Sequence, residues 1–137
     1  MNGYLAVIGV LRADGPVGLL IGGSGVSTAR VFPGDAPQTE VYPLVMVETF
    51  GVDAFDTKSG VSVVDHDLVK VFSYAESDKD AKNLAERSRD ALDGYTGTIN
   101  SLTIEQIRFL NADSYNVKLT NRNVRVHEYD YEVRVRV

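Results

Sequence analysis

The sequence predicts an α+β domain: a mainly antiparallel sheet with a long β-hairpin, one central amphipathic helix, and an N-terminal helix packed on one face. Three stretches carry that prediction. An apolar run, Leu68 to Tyr74, feeds directly into an amphipathic segment that ends near Gly94. The last strand, from Glu128 onward, alternates strictly in period two. The first thirteen place Leu5, Ile8 and Leu11, with Ala6 and Val10, at near-helical spacing. Strands on both sides of one central helix fit helices laid on one face of an antiparallel sheet.

The N-terminal segment, residues 2 to 13, reads as a core-facing helix weakened by Gly9, which costs up to about 1 kcal/mol relative to Ala. YLAVIGVL, residues 4 to 11, is too short to span a bilayer and lacks the basic flank of a signal peptide. Asp14-Gly15-Pro16 breaks the helix. Pro16 then suits the first turn of a short second helix, Val17 to Ile21. Gly22-Gly23-Ser24-Gly25 reads as a turn, Arg30-Val31-Phe32 as a short extended piece, and residues 33 to 37 as a loop.

Residues 41 to 50, VYPLVMVETF, turn β-rich, with Pro43 placed for the start or edge of a strand. Residues 51 to 60 read as a polar hairpin tip, and Val61 to Tyr74 return as the partner strand. An arm this polar is more than a core needs, so its outer part reads as surface for a partner.

Ser77 is the expected N-cap of the central helix, with Asp80 completing a Ser-x-x-Asp capping box. Ala81, Leu84, Ala85, Ser88, Ala91 and Leu92 follow the spacing of one buried face. Gly94 supplies the stop, because glycine reaches positive φ without a Cβ penalty. Residues 95 to 100 read as a turn, Leu102 to Leu110 as a strand, and residues 111 to 123 as a polar loop or short irregular hairpin. In the last strand His127, Tyr129, Tyr131, Val133 and Val135 share one parity. Glu128, Asp130, Glu132, Arg134 and Arg136 share the other, an outward charged face.

Composition narrows the function classes. A chain of 137 residues fits one domain, here residues 1 to 137, with a core that needs no staples. The net charge of −5 argues against a nucleic-acid surface, which needs concentrated Lys and Arg. With no cysteine, thiol catalysis and disulfides are excluded.

Candidate chemistry is thin. IGGSGVS, residues 21 to 27, has neither the phosphate-loop nor the dinucleotide spacing. Asp65-His66-Asp67 resembles a metal cluster, but neighbours on a strand point to opposite faces, so a polar hairpin stem is the simpler reading. His127 lies inward with no nucleophile or orienting partner visible in sequence, which makes it a structural histidine at the core's edge. A small metal-dependent hydrolase using Asp65, Asp67 and His127 is the remote enzymatic reading. No catalytic, cofactor or metal residue is assigned. What remains is surface. The expected partner contacts are Asp53, Asp56, Lys58 and Ser59 at the first hairpin tip, and Asp113, Tyr115, Lys118 and Arg122 in the later polar loop.

Four segments in order resemble one family. LRADGPVGLLIGG (11 to 23) is similar to its helix-break-helix ending in paired glycines. RVFPGDAPQTEVYPLVMVE (30 to 48) is similar to its Arg-Val-Phe-Pro, Ala-Pro-Gln and Tyr-Pro run. VFSYAESDKDAKNLAERSRDALDGY (71 to 95) resembles its strand, turn and helix, and RVHEYDYEVRV (125 to 135) its closing strand. The family is that of the tail completion, or tail terminator, proteins of long-tailed bacteriophages. An insertion, Ser24 to Ala29, departs from its pattern.

The resemblance implies a non-enzymatic virion protein with no cofactor and no membrane partner, assembled in the host cytoplasm. It implies a homo-oligomeric ring, typically a hexamer. That ring caps the tail tube, stops its elongation and meets a head-tail connector protein at the head-proximal end. DNA enters only as cargo passing through the lumen, which an acidic charge would suit. A neck or head-closure protein on the other side of the junction is the alternative, and a host-protein binding module the residual one.

Overall fold

The computed structural model describes residues 3–21, 31–34, 42–54, 64–99, 101–119 and 122–136. In chain order these form α1 (Gly3–Ala13), α2 (Gly15–Leu20), β1 (Val31–Pro33), β2 (Leu44–Ala54), β3 (Val64–Ala75), α3 (Asp78–Leu92), β4 (Gly97–Ile99), β5 (Leu102–Leu119) and β6 (Arg122–Arg136). The six strands make one sheet in the order β1-β2-β3-β6-β5-β4. Only β1 runs parallel to its neighbour, and every other pairing is antiparallel.

Local chemistry sets the helix ends. Asp14 caps α2, its Oδ1 accepting from Val17 N at 3.0 Å, and Pro16 follows in the first turn. Ser77 caps α3, its Oγ accepting from Asp80 N at 3.2 Å. Asp78 and Asp80 lie in the first turn and Arg89 in the last, in the sense that the helix dipole favours. After α3, Gly94 takes φ 83° and donates to Ile107 O, turning the chain onto β5.

All the helices contacting the sheet share one face of it. Val45, Val47, Val69, Val71, Tyr131 and Val133 pack from the strands against Val7, Leu11, Leu84 and Leu92. Leu84 and Leu92 are completely buried, each stabilising by about 1.5–3 kcal/mol. Val69 and Val71 on β3 thus lie under the same α3 face that the spacing singled out.

Several expectations need correction. Of the polar loop or short irregular hairpin expected at 111 to 123, the hairpin is what forms, and it is regular and long: among the described residues β5 continues to Leu119 and β6 begins at Arg122, paired in register. Polar composition misled there, because a hairpin extending past the helices has few apolar neighbours to specify it. β2 runs to Ala54, so Asp53 sits in a strand, not in a tip. Residues 97 to 99 are the edge strand β4 and not simply a turn. Leu5, taken as core, is 43% exposed, while Ala6, Val7, Val10 and Leu11 turn inward. Asp67, read as part of a polar hairpin stem, does lie in the β2–β3 hairpin but is completely buried. Finally, Val124 and Val126, on the charged parity of β6, are buried as well, along with Phe72 and Leu44 on neighbouring strands. The glycine turn at 22 to 25, residues 35 to 37 of the following loop, and Gly60 lie outside the described residues.

Candidate interaction surfaces

The sheet face turned away from the helices carries an ordered charge pattern. Register places Glu48, Lys70 and Asp130 in one row across β2, β3 and β6, with Phe72 and Glu128 in the next. Lys70 bonds Glu128, and its Nζ lies 3.5 Å from Asp130 Oδ1 and 4.6 Å from the centroid of the Phe50 ring. The hydrogen bond to Glu128 raises the Lys70 pKa above its ordinary value, while burial raises that of Asp130. Further along β6, Glu132 lies within 3.6 Å of both His66 Nδ1 and Arg108 and within 3.4 Å of Arg134. Arg136 pairs with Glu105 at 2.6 Å. The strand therefore runs from acidic (Glu128, Asp130, Glu132) to basic (Arg134, Arg136).

Beyond the acidic rows this face becomes aromatic. Tyr74 stacks at 6.3 Å on Phe72 and lies 6.4 Å from Tyr42, and Tyr115 shares the Val126 row. Burial pushes the Tyr74 hydroxyl up to about 12 and raises that of Tyr115.

The helix face has three polar joints. At the start of α3, Asp78 Oδ1 accepts from Arg125 Nε at 2.8 Å and lies 2.9 Å from His127 Nε2. These two bonds hold the Asp78 carboxyl below its ordinary pKa. Arg125 also donates to Asn116 Oδ1 and Ser114 Oγ, so one guanidinium ties α3, β6 and β5 together. About two turns along α3, Tyr129 donates to Glu86 Oε1 at 2.6 Å. Gly3 N donates to Asp67 Oδ2 at 2.6 Å, joining α1 to β3.

The residues expected to contact partners fall in two places. Asp53 pairs with His66 in the backbone register, while Asp56, Lys58 and Ser59 lie outside the described residues. Asp113 and Lys118 are exposed on β5, and Tyr115 is half-buried between them. Arg122 begins β6 opposite Leu119. Asp113 and Tyr115 share the helix-free face, and Lys118 alternates to the other. Asp53, on β2, and Asp113, on β5, stand on opposite flanks of the sheet.

The trio of the hydrolase reading is not gathered. Asp67 lies in the row of Val133 and His127 in the row of Ser73, about 20 Å apart along the strands. Among the described residues, no group of three His, Asp or Glu side chains could hold a metal ion. A cleft of about 390 Å³ opens between α1, α3 and β4, lined by Val10, Ala13, Asp14, Asp90, Ala91, Tyr95 and Ile99.

Sequence reasoning missed two exposed apolar residues, Phe50 at 42% and Leu110 at 40%. Each sits where the register slips, between Thr49 and Gly51 and between Phe109 and Asn111. Such β-bulges re-aim side chains, and a period-two pattern carries no sign of them.

The sequence profile of a family described as "Tail completion protein gp17" matches residues 5–137. The chain belongs to this family of long-tailed bacteriophage proteins. It is thus a structural protein of the phage tail. No curated protein sequence matches it. Among solved structures, a chain from "Virion of native gene transfer agent (GTA) particle" has a similar fold, with TM-score 0.67 and 23% identity over 96% of this chain and 92% of that one. The family assignment agrees with the ordered four-segment resemblance read from residues 11 to 135.

Proposed function

We propose that this protein caps the finished tail tube, stops its elongation, and forms part of the head-tail junction at the head-proximal end of the tail. The carrying observation is the family match over residues 5–137. On this reading the chain, residues 1 to 137, acts as one structural unit that assembles into a homo-oligomeric ring, six-fold as the family resemblance implies. The tail tube protein lies on one side of the ring and the head-tail connector on the other, and DNA passes through the lumen.

Two features of the fold support this reading. Among the described residues, the helices cover one sheet face and the other carries an ordered charge pattern. Two long hairpins, β2–β3 and β5–β6, carry polar residues at opposite ends of the sheet, offering separate contacts for tube and connector.

Imaging purified protein mixed with tail tubes tests the reading. A ring at one end of each tube is the expected result. In vivo, loss of the gene should give tails of irregular length that do not join heads. Tails of normal length that still join heads would overturn it. A ring found on isolated heads instead would favour the head-closure alternative.

A further inference from the structure

The sheet has two long edges that are only partly covered, and the uncovered parts lie at opposite ends. On one flank β1 pairs with Val45 to Val47, and among the described residues no strand lies against β2 from Glu48 to Ala54. On the other flank β4 pairs with Leu102 to Ile104. The turn after α3 covers β5 a little further, through Gly94, Tyr95 and Asp93 bonding Ile107 and Phe109. From Leu110 to Leu119 no described strand lies against the outer edge of β5. Every second backbone N–H and C=O on such an edge is unpaired within its own sheet, a template for another strand. The exposed Phe50 lies on one of these stretches and the exposed Leu110 begins the other.

We propose that a second copy of this chain docks head to tail, its β5 edge (110 to 119) adding antiparallel to the β2 edge (48 to 54) of its neighbour. This deepens the ring reading above and rests on it.

The strand directions fit. β2 and β3, β3 and β6, and β6 and β5 are each antiparallel, so β2 and β5 of one copy run in opposite senses. Copies repeated with the same face inward therefore set β2 against an oppositely directed β5. The offset fits as well. The middle of the β2 stretch, Gly51, lies in the row of Glu132, and the middle of the β5 stretch, Ser114 and Tyr115, in the rows of His127 and Val126. Matching the two displaces each copy about 18 Å along the strands. The four strands β2, β3, β6 and β5 advance about 19 Å across them. The ratio corresponds to a strand tilt of about 45°, at the upper end of the usual range of closed sheets. A heterologous contact whose rotation closes gives a ring.

The absence of cysteine allows a direct test in the full-length protein. Phe50→Cys and Asp113→Cys would be made in separate copies, both at exposed positions, then mixed and treated with a short bis-maleimide. With equal, random mixing the expected result is a mixed cross-link that takes about half of the protein, since about a quarter of head-to-tail interfaces set position 50 against position 113, with neither variant cross-linking to itself. Pairing Phe50→Cys with Thr103→Cys, on the β4-covered part of β5, should give none. Self-cross-linking of either single variant would indicate a two-fold dimer and overturn the proposal. A ring of unchanged size by native mass measurement with no mixed cross-link would overturn the edge pairing while leaving the ring intact. Single subunits alone, even on tail tubes, would overturn the ring reading itself. Independently, Phe50→Lys should weaken association about tenfold by sedimentation while leaving the melting temperature of the subunit unchanged. Unaltered association would count against the edge.

Discussion

Replacing Gly3 by alanine should destabilise the fold, against the usual sign of that substitution. In a helix, Gly→Ala ordinarily gains about 0.5–1 kcal/mol from reduced chain entropy. At Gly3 an added Cβ would stand 2.6 Å from Asp67 Cβ and 2.8 Å from its Oδ2. The obstructing Cβ is fixed to the β3 backbone and cannot swing away. Asp67 is completely buried, so α1 must lift from the sheet, lengthening the 2.6 Å bond from Gly3 N. Overpacking of this kind costs roughly 1–3 kcal/mol, enough to reverse the propensity gain. Gly15 is the internal control. It begins α2, and a Cβ there meets no atom within 4 Å. Gly15→Ala should be neutral or stabilising by up to about 1 kcal/mol. Urea denaturation followed by circular dichroism would measure both. If Gly3→Ala tracked Gly15→Ala, the close approach of α1 to β3 would be refuted.

Other substitutions separate folding from assembly. Leu84→Ala should cost about 2–5 kcal/mol by thermal or urea melting, and Leu84→Asp should unfold the subunit. Changes at Asp56 or Lys58 should leave melting unchanged but impair ring or tail assembly, and equal loss of folding in both sets would contradict that division. Tyr129→Phe removes the bond to Glu86 and should cost about 1–3 kcal/mol. Tyr131→Phe should be neutral or stabilising, because the buried Tyr131 hydroxyl has no partner among the described residues. The Tyr129 hydroxyl is pushed up to about 12 by burial and by Glu86, above its ordinary value of 10.0. Its protonated form is thus favoured by folding, and stability should fall as pH rises from about 10 towards 12. In acid the sign reverses at Asp78. Its folded pKa is lowered, so its contribution is present above the ordinary value of 3.8 and is lost as pH falls through the lower folded value. Asp78→Asn should flatten that part of the acid-stability profile.

The sequence showed its elements where one physical signal dominated. α3 was legible because Ser77, the Ala81–Leu84–Ala85–Ser88 face and Gly94 all point to the same helix. The outer half of β6 was legible because burial on one face and charge on the other give strict alternation. Residues 111 to 123 were not, since both faces of that hairpin are polar or half-buried and no alternation develops. Asp67 was misread because its partner, the N–H of Gly3, is 64 residues away. His127 found its orienting carboxylate, Asp78, 49 residues away, a pairing that only the packing of α3 on β6 creates. For the interaction surfaces, the position of charge on β6 could be read from parity. The exposure of Phe50 and Leu110 could not, because it follows from bulges that period two does not encode.

The two shortest strands have the largest consequence for how copies can meet. An open sheet edge pairs with any strand offered, so a subunit that must pair once and in one register needs obstacles as well as templates. β1 and β4 are such obstacles. In the register of the sheet, β1 covers Val45 to Val47, whose rows cross β5 at Ser114 to Ala112. β4 covers Ile104, whose row crosses β2 at Ala54. Two copies placed at equal height would therefore bring β1 against the open stretch of β5, and β4 against the open stretch of β2. Both ends would be blocked. Only an axial displacement sets open edge against open edge, and displacement per copy is what tilts the strands of a closed sheet. Two three-residue strands thus select one register from many. Extending β1 along Glu48 to Ala54 should abolish head-to-tail association while stabilising the isolated subunit, and the cross-link between positions 50 and 113 would report both the loss and its cause.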